Sequence, residues 1–270
     1  MKEVRVGICG LGTVGGGTFN VLARNASLIS GRAGCNIRTV RVATRTWRDD
    51  IDLGEIPFST DIMDVVNDPD VDVVVELIGG YEAARELVLA AIAKGKHVVT
   101  ANKALIAVHG NEIFDAADKA GVVVAYEAGV AGGIPVIKAI REGMAANRID
   151  TLAGIINGTG NYILTEMRKG RAFNEVLQEA QDLGYAEADP TFDVEGVDAA
   201  HKLTIMASAS FGVPLQFDRA YTEGISRLTP YDIAHAELLG YRVKHLGIAR
   251  RREGGIELRV HPTLVPQSHL

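Results

Sequence analysis

The stretch Val4-Arg5-Val6-Gly7-Ile8-Cys9-Gly10-Leu11-Gly12-Thr13-Val14-Gly15 decides the fold. Its first half is rich in β-branched residues and reads as a strand, while Phe19, Val21, Leu22 and Leu28 beyond it recur at roughly helical spacing. Between the two, glycines 10, 12 and 15 stand as G-x-G-x-x-G. The first permits a tight turn, the second lets a pyrophosphate approach the backbone, and the third allows close helix packing. Unpaired N–H groups at the start of the helix then favour the phosphates. The string alone is a weak signal; following a strand and opening a helix is the context that gives it meaning. Gly10, Leu11, Gly12, Thr13, Val14 and Gly15 are therefore candidate cofactor-binding residues.

Outward from that turn, apolar runs at residues 37–43, 71–78, 97–100 and 122–126 alternate with helix-like stretches at 81–93 and 109–120. This rhythm predicts an α/β protein whose N-terminal domain, residues 1–130, is a Rossmann-type doubly wound parallel sheet. The pattern then changes. Glycine-rich residues 129–133 precede Pro135 near the start of a helix expected over 134–145. A strand over 151–157, helices near 162–169, 174–183 and 196–210, and a hairpin from 241–250 to 256–262 across Glu253-Gly254-Gly255 follow. Residues 131–270 are thus expected to form a second, α+β domain for catalysis and dimerisation.

With 270 residues, 47% of them hydrophobic and 23% charged, the chain is long enough for two such domains. A net charge of −6 gives no electrostatic reason to expect nucleic acid or an anionic membrane as partner, which leaves a small-molecule substrate. Two cysteines are too few for a disulfide framework, and no signal-peptide pattern or long apolar run occurs, so a cytoplasmic location is expected.

Several side chains stand out around this frame. The end of the second strand carries Arg45 and Arg48 where an NAD-selective site would place an acid, with Asp49 and Asp50 a few residues too late. A guanidinium there suits the 2′-phosphate of NADP, with NAD the alternative; the competing reading is a pair of solvated arginines. Lys103 lies just beyond a strand's carboxyl end, where open α/β sheets bind ligands. Downstream, Glu187, Asp189, Asp193 and Glu195 crowd one loop, and Asp198 and Lys202 fall at i and i+4 on one helix face. An acid and an amine so placed can serve one substrate, or can be an ordinary surface pair.

The segments GLGTVG (10–15), VVTANKAL (98–105), YEAGVAGGIPVIKAI (126–140), GIINGTGNYIL (154–164) and LGYAEADPTFDVEGVDAAHKL (183–203) resemble those of homoserine dehydrogenases, in order and spacing. The resemblance implies reversible NAD(P)-dependent interconversion of L-homoserine and L-aspartate 4-semialdehyde, in threonine, methionine and isoleucine biosynthesis. It implies that Glu187 and Asp198 bind substrate with support from Asp193, and that Lys202 is the proton donor with Lys103 near the nicotinamide. Gly184 would approach the cofactor, and carbonyls of Glu127, Val130, Gly132 and Ile134 would hold a sodium ion. A homodimer or dimer-based oligomer is also implied. Two departures stand out: Gly160 replaces a threonine common in the family, and the sequence ends at Leu270, where relatives continue with a further strand and helix and often a regulatory ACT domain. A C-terminally shortened catalytic domain without threonine feedback is the expectation. Competing functions are a semialdehyde oxidoreductase with a cysteine nucleophile, for which Cys9 and Cys35 sit in the wrong places, and a dinucleotide-binding protein without catalysis.

Overall fold

The computed structural model describes residues 2–269. The quoted stretch folds as read, with β1 (Glu3–Cys9) turning into α1 (Thr13–Arg24). There follow α2 (Ala26–Ala33), β2 (Asn36–Ala43), β3 (Phe58–Ser59), α3 (Met63–Asn67), β4 (Val73–Glu76), α4 (Glu82–Ala93), β5 (His97–Thr100), α5 (Lys103–Ala120) and β6 (Val124–Ala125). The strands are all parallel, in the order β3-β2-β1-β4-β5-β6. With β2 on one side of β1 and β4 on the other, winding reverses at β1, and a crevice opens there beyond the carboxyl ends. Apolar side chains explain the layering. Val6, Ile8, Leu11, Phe19, Val42, Ile51, Leu53 and Val75 form one buried cluster, and α4 buries Ala84, Leu87, Val88, Ala91 and Ile92 at helical spacing.

The chain divides into two compact units, the first ending at Val136 and the second beginning at Ile137. The helix expected over 134–145 is instead a short α6 (Val136–Lys138) that widens into a π turn over Ala139–Gly143. There the Met144 N–H donates to the Ala139 carbonyl at 2.9 Å, an i to i+5 bond, and Ile137 and Ile140 are both buried. The remaining elements are β7 (Thr151–Gly154), α7 (Gly158–Met167), α8 (Phe173–Asp182), α9 (Thr191–Val194), α10 (Val197–Phe211), β8 (Tyr221–Thr222), α11 (Pro230–Leu238), β9 (Tyr241–Arg252) and β10 (Gly255–Pro266). Their sheet runs β7-β9-β10-β8, antiparallel except for the short β10–β8 pairing. The second unit is α+β, as expected. The hairpin is tighter and longer than the sequence suggests, since Glu253-Gly254 alone makes the turn.

Helix α7 begins four residues before the helix read from the sequence, because Asn157 caps it by accepting the Gly160 N–H at 2.9 Å. The buried His245 ring lies beside Gly160, and its Nδ1 has no hydrogen-bond partner among the described residues. A Cβ at position 160 would stand 3.7 Å from that nitrogen and meet nothing closer than 3.5 Å. Gly160→Ser is therefore expected to stabilise the protein by about 1–2 kcal/mol, from helix propensity and a hydroxyl bond to the imidazole. Thermal denaturation checks this; an unchanged or lower midpoint would contradict it. Among the described residues no helix is long and apolar enough to cross a membrane.

Candidate active site

In the first unit the glycine turn has the shape that a pyrophosphate needs. Gly10 takes φ +98, and a Cβ there would strike the Leu77 carbonyl oxygen at 2.6 Å. At Gly15 an added Cβ would come within 1.8 Å of the Gly10 carbonyl oxygen, so α1 can start this close to β1 only with glycine. Gly12 faces open space, and no side chain caps α1, leaving its first N–H groups for an anionic ligand. These features fit a dinucleotide phosphate. Leu11 is buried in the core beneath the turn, whereas Thr13 and Val14 are exposed on the first turn of α1.

At the end of β2, Arg45 is exposed, and no ion pair to it occurs among the described residues. Arg48 is different. Its guanidinium pairs with Asp50, with Nε donating to Oδ1 at 2.8 Å. The aspartate read as too late to matter thus occupies the second arginine, leaving Arg45 as the candidate for a 2′-phosphate.

Lys103 opens α5, one residue after its cap Asn102. Gly129 packs against it, since a Cβ on that glycine would lie 3.7 Å from the Lys103 Cα. The bend at residues 127–134 thus adjoins the start of α5, and Ala131 within it adopts φ +49, rare for a residue with a side chain. Of the four carbonyls read as cation ligands, those of Glu127 and Ile134 already accept backbone N–H groups, from Val130 and Val136. Each retains a second lone pair.

The second unit gathers the downstream acids and amine. Asp198 and Lys202 sit one turn apart on α10, with Lys202 Nζ donating to Asp198 Oδ2 at 2.6 Å and to the Ile156 carbonyl at 3.1 Å. The pair is no solvated surface bridge, because the Asp198 side chain is only 10% exposed and that of Lys202 22%. Burial follows from α10, whose Ala199, Ala200, Leu203 and Ala207 pack against Ala249 and Val260 of the sheet. Asp193, on α9, stands beside them. Burial pushes its carboxyl above the ordinary aspartate range, a hydrogen bond from Asn157 opposes this, and the Asp198 and Glu187 charges add to it. Glu187 therefore lies within electrostatic reach of the cluster, on an exposed loop. That loop is pinned by Gln181, whose Nε2 donates to the carbonyls of Glu187 (3.1 Å) and Ala188 (3.2 Å). Gly184, at φ +74, starts it by ending α8. Asp189 caps the loop's own turn through the Thr191 N–H, and Glu195 accepts from Ser226, so neither joins the cluster.

Asn157 is the residue that the sequence reading missed. Its Nδ2 donates to Asp193 Oδ1 at 2.7 Å and to Asp198 Oδ2 at 2.9 Å while its Oδ1 caps α7. One buried amide thereby holds two carboxylates together. The signal is present in Asn157-Gly158-Thr159, a cap pattern before an apolar helix, whereas the strand expected over 151–157 places Asn157 at a strand end; the strand itself stops at Gly154.

Comparison with known proteins follows the same division. Residues 10–127 match the family model for the homoserine dehydrogenase NAD-binding domain, and residues 135–270 match that for homoserine dehydrogenase itself. A homoserine dehydrogenase of Pseudomonas aeruginosa is 70% identical over the whole chain, which spans 62% of that relative's length. The crystal structure of a homoserine dehydrogenase from Thiobacillus denitrificans is 65% identical and superposes with a TM-score of 0.93 over 99% of this chain and 62% of that one. Homoserine dehydrogenase of S. aureus at pH 6.0 is 37% identical, with a TM-score of 0.87 over 100% of this chain and 68% of its own. With both halves matched in order and the fold shared, the chain belongs to the homoserine dehydrogenase family.

Proposed function

We propose that the chain performs the homoserine dehydrogenase reaction, with NADP as the preferred cofactor. The observation that carries this reading is the Lys202–Asp198–Asn157–Asp193 cluster: an ammonium group held on a buried carboxylate, which one amide ties to a second, in a chain whose other unit carries a dinucleotide turn. A bound nicotinamide would supply the hydride acceptor for the alcohol carbon of L-homoserine and, in reduced form, the hydride donor for the aldehyde carbon of L-aspartate 4-semialdehyde. The chain's own residues bind, orient and move protons. In the reducing direction Lys202 donates a proton to the aldehyde oxygen as negative charge builds there, and in the oxidising direction it takes that proton back. Glu187 and Asp198 hold the substrate ammonium group by opposite charge, and Asp193 keeps Asp198 oriented through Asn157. Lys103, at the carboxyl end of β5, serves the nicotinamide end of the first unit, and Gly184 the cofactor's approach to the second.

A cysteine nucleophile finds no support. Cys9 is buried in β1 with its thiol pushed up to about 12, chiefly by burial, which keeps it protonated and inert. Mere dinucleotide binding would not require a largely buried lysine–aspartate pair, whose desolvation costs stability. The carbonyl-rich bend at Glu127, Val130, Gly132 and Ile134 is the proposed seat of a sodium ion, which hard oxygen ligands suit. A homodimer and a cytoplasmic location belong to the same proposal; both cysteines are free, in keeping with a reducing compartment.

Two tests address this reading. Purified chain given L-homoserine and NADP is expected to reduce the nicotinamide, and folded protein giving no rate above background with NADP or NAD would overturn the assignment. For the cofactor, Arg45→Ala is expected to weaken NADP on the order of 10-fold or more while sparing NAD, since a charge-assisted bond is worth about 1.5–3 kcal/mol. Equal losses in titrations with the two cofactors would remove Arg45 from the site.

A further inference from the structure

Glu76 closes β4 with its side chain fully buried. A carboxylate withdrawn from water is tolerated only when its oxygens are hydrogen-bonded. Here Oε1 accepts the N–H groups of Ile78 at 3.0 Å and Gly79 at 3.1 Å, and Oε2 accepts the Thr100 hydroxyl at 2.5 Å. Thr100 is buried too and ends the neighbouring strand β5; its oxygen accepts the Asn102 N–H at 2.9 Å. Asn102 caps α5 through the Leu105 N–H at 3.0 Å and donates from Nδ2 to the Gly80 carbonyl at 2.7 Å. The bonds close a circuit, from Glu76 through residues 77–80 to Asn102, to Thr100, and back to Glu76. Lys103 is the next residue after it.

Packing alone does not call for this arrangement, because a buried ionic group can often be replaced by apolar residues of similar volume at no loss of stability. Its position suggests why it is there. The circuit occupies the carboxyl ends of β4 and β5, beside the Gly10 turn, where an added Cβ would strike the Leu77 carbonyl. If the adenosine end of the cofactor lies toward Arg45, just beyond β2, and the pyrophosphate on the glycine turn, the nicotinamide half extends over β4 and β5. The Glu76 charge is felt at that end of the sheet, where it adds to the upward push on the thiol of Cys9, its partner across β1 and β4.

We propose, resting on the dehydrogenase reading, that Glu76 is a positioning residue for hydride transfer, acting through Thr100 and Asn102 to hold residues 77–80 and Lys103 in one geometry. The substitution that isolates this role is Thr100→Val, which keeps shape and removes the hydroxyl; Thr100→Ser restores the hydroxyl. Amide hydrogen exchange of the cofactor-free chain is measured beside kcat and KM for L-homoserine. Thr100→Val is expected to speed exchange at residues 77–80 and 100–103 while leaving the rest protected, and to lower kcat by about 10- to 100-fold with a smaller change in KM, as misplacement of reacting groups does. Thr100→Ser is expected to restore both readouts. Glu76→Gln, which must turn an N–H toward one of its three donors, is expected to behave like Thr100→Val. Wild-type turnover in Thr100→Val, a loss that Thr100→Ser does not restore, or faster exchange throughout the chain would overturn the inference alone. A wild-type chain that turns over no homoserine would overturn the dehydrogenase reading and the inference with it.

Discussion

Lys202→Arg is expected to fold, bind NADP and lose turnover by roughly 10²–10⁴-fold, the usual contribution of a positioned general acid. The arginine keeps a positive charge beside the buried Asp198, so the pair that α10 encloses survives in ionic form. What it cannot do is give up a proton, since a guanidinium stays charged at every working pH. Lys202→Ala would lose the same chemistry, but it also strands the Asp198 carboxylate, and breaking a buried pair can cost several kcal/mol. The arginine variant separates catalysis from folding. Steady-state rates with cofactor titrations decide the matter: near-normal turnover in Lys202→Arg, with collapse in Lys103→Arg, would transfer the acid's role to Lys103.

The second large effect is expected at Asn157. Asn157→Asp keeps the cap on α7, because aspartate accepts the Gly160 N–H as asparagine does. It removes the only donor between Asp193 and Asp198 that the amide supplies and sets a third carboxylate beside them. Each lost charge-assisted bond is worth about 1.5–3 kcal/mol, before any repulsion. The variant should therefore be strongly destabilised at neutral pH and recover on acidification. The sign follows from linkage: a carboxyl whose folded value is raised binds protons more readily in the native state, so its penalty is present at higher pH and lifts as pH falls through that value. Asp193 is already raised in the wild type, and Asn157→Asp should extend the effect upward. Denaturant unfolding at several pH values tests this; a variant as stable as wild type at neutral pH would show that the amide does not hold the cluster.

Much of this was legible in the sequence, and the reasons are specific. The doubly wound sheet could be read because β-branched runs alternate with helical periodicity around a turn that only glycine can make at positions 10 and 15. Asp198 and Lys202 could be paired because i and i+4 share a helix face. Their burial could not be read, since it depends on Ala249 and Val260 arriving from strands far along the chain. Asn157 and Glu76 were missed for a related reason. Each looks locally like a loop amide or a strand-end acid, and its role lies in partners 36 and 41 residues away in the one case and 24 in the other. The pairing of Arg48 with Asp50 could not be read from their spacing, because it is set by the fold of the loop between them. Residues 139–143 kept their apolar spacing but hid the π turn, because periodicity reports which residues face inward and not which carbonyl each N–H finds.

On the proposed reading, this chain moves a hydride from the alcohol carbon of L-homoserine to a nicotinamide with Lys202 handling the proton. Oxidation of L-homoserine carrying deuterium at both positions of that carbon, with NADP, is followed in wild type and Lys202→Arg. Wild type is expected to place the deuterium on the nicotinamide ring, and Lys202→Arg to make the same labelled product at a rate lower by roughly 10²–10⁴-fold. Reduced cofactor without the label would show that the hydride does not come from homoserine, and equal rates in the two proteins that Lys202 does not handle the proton.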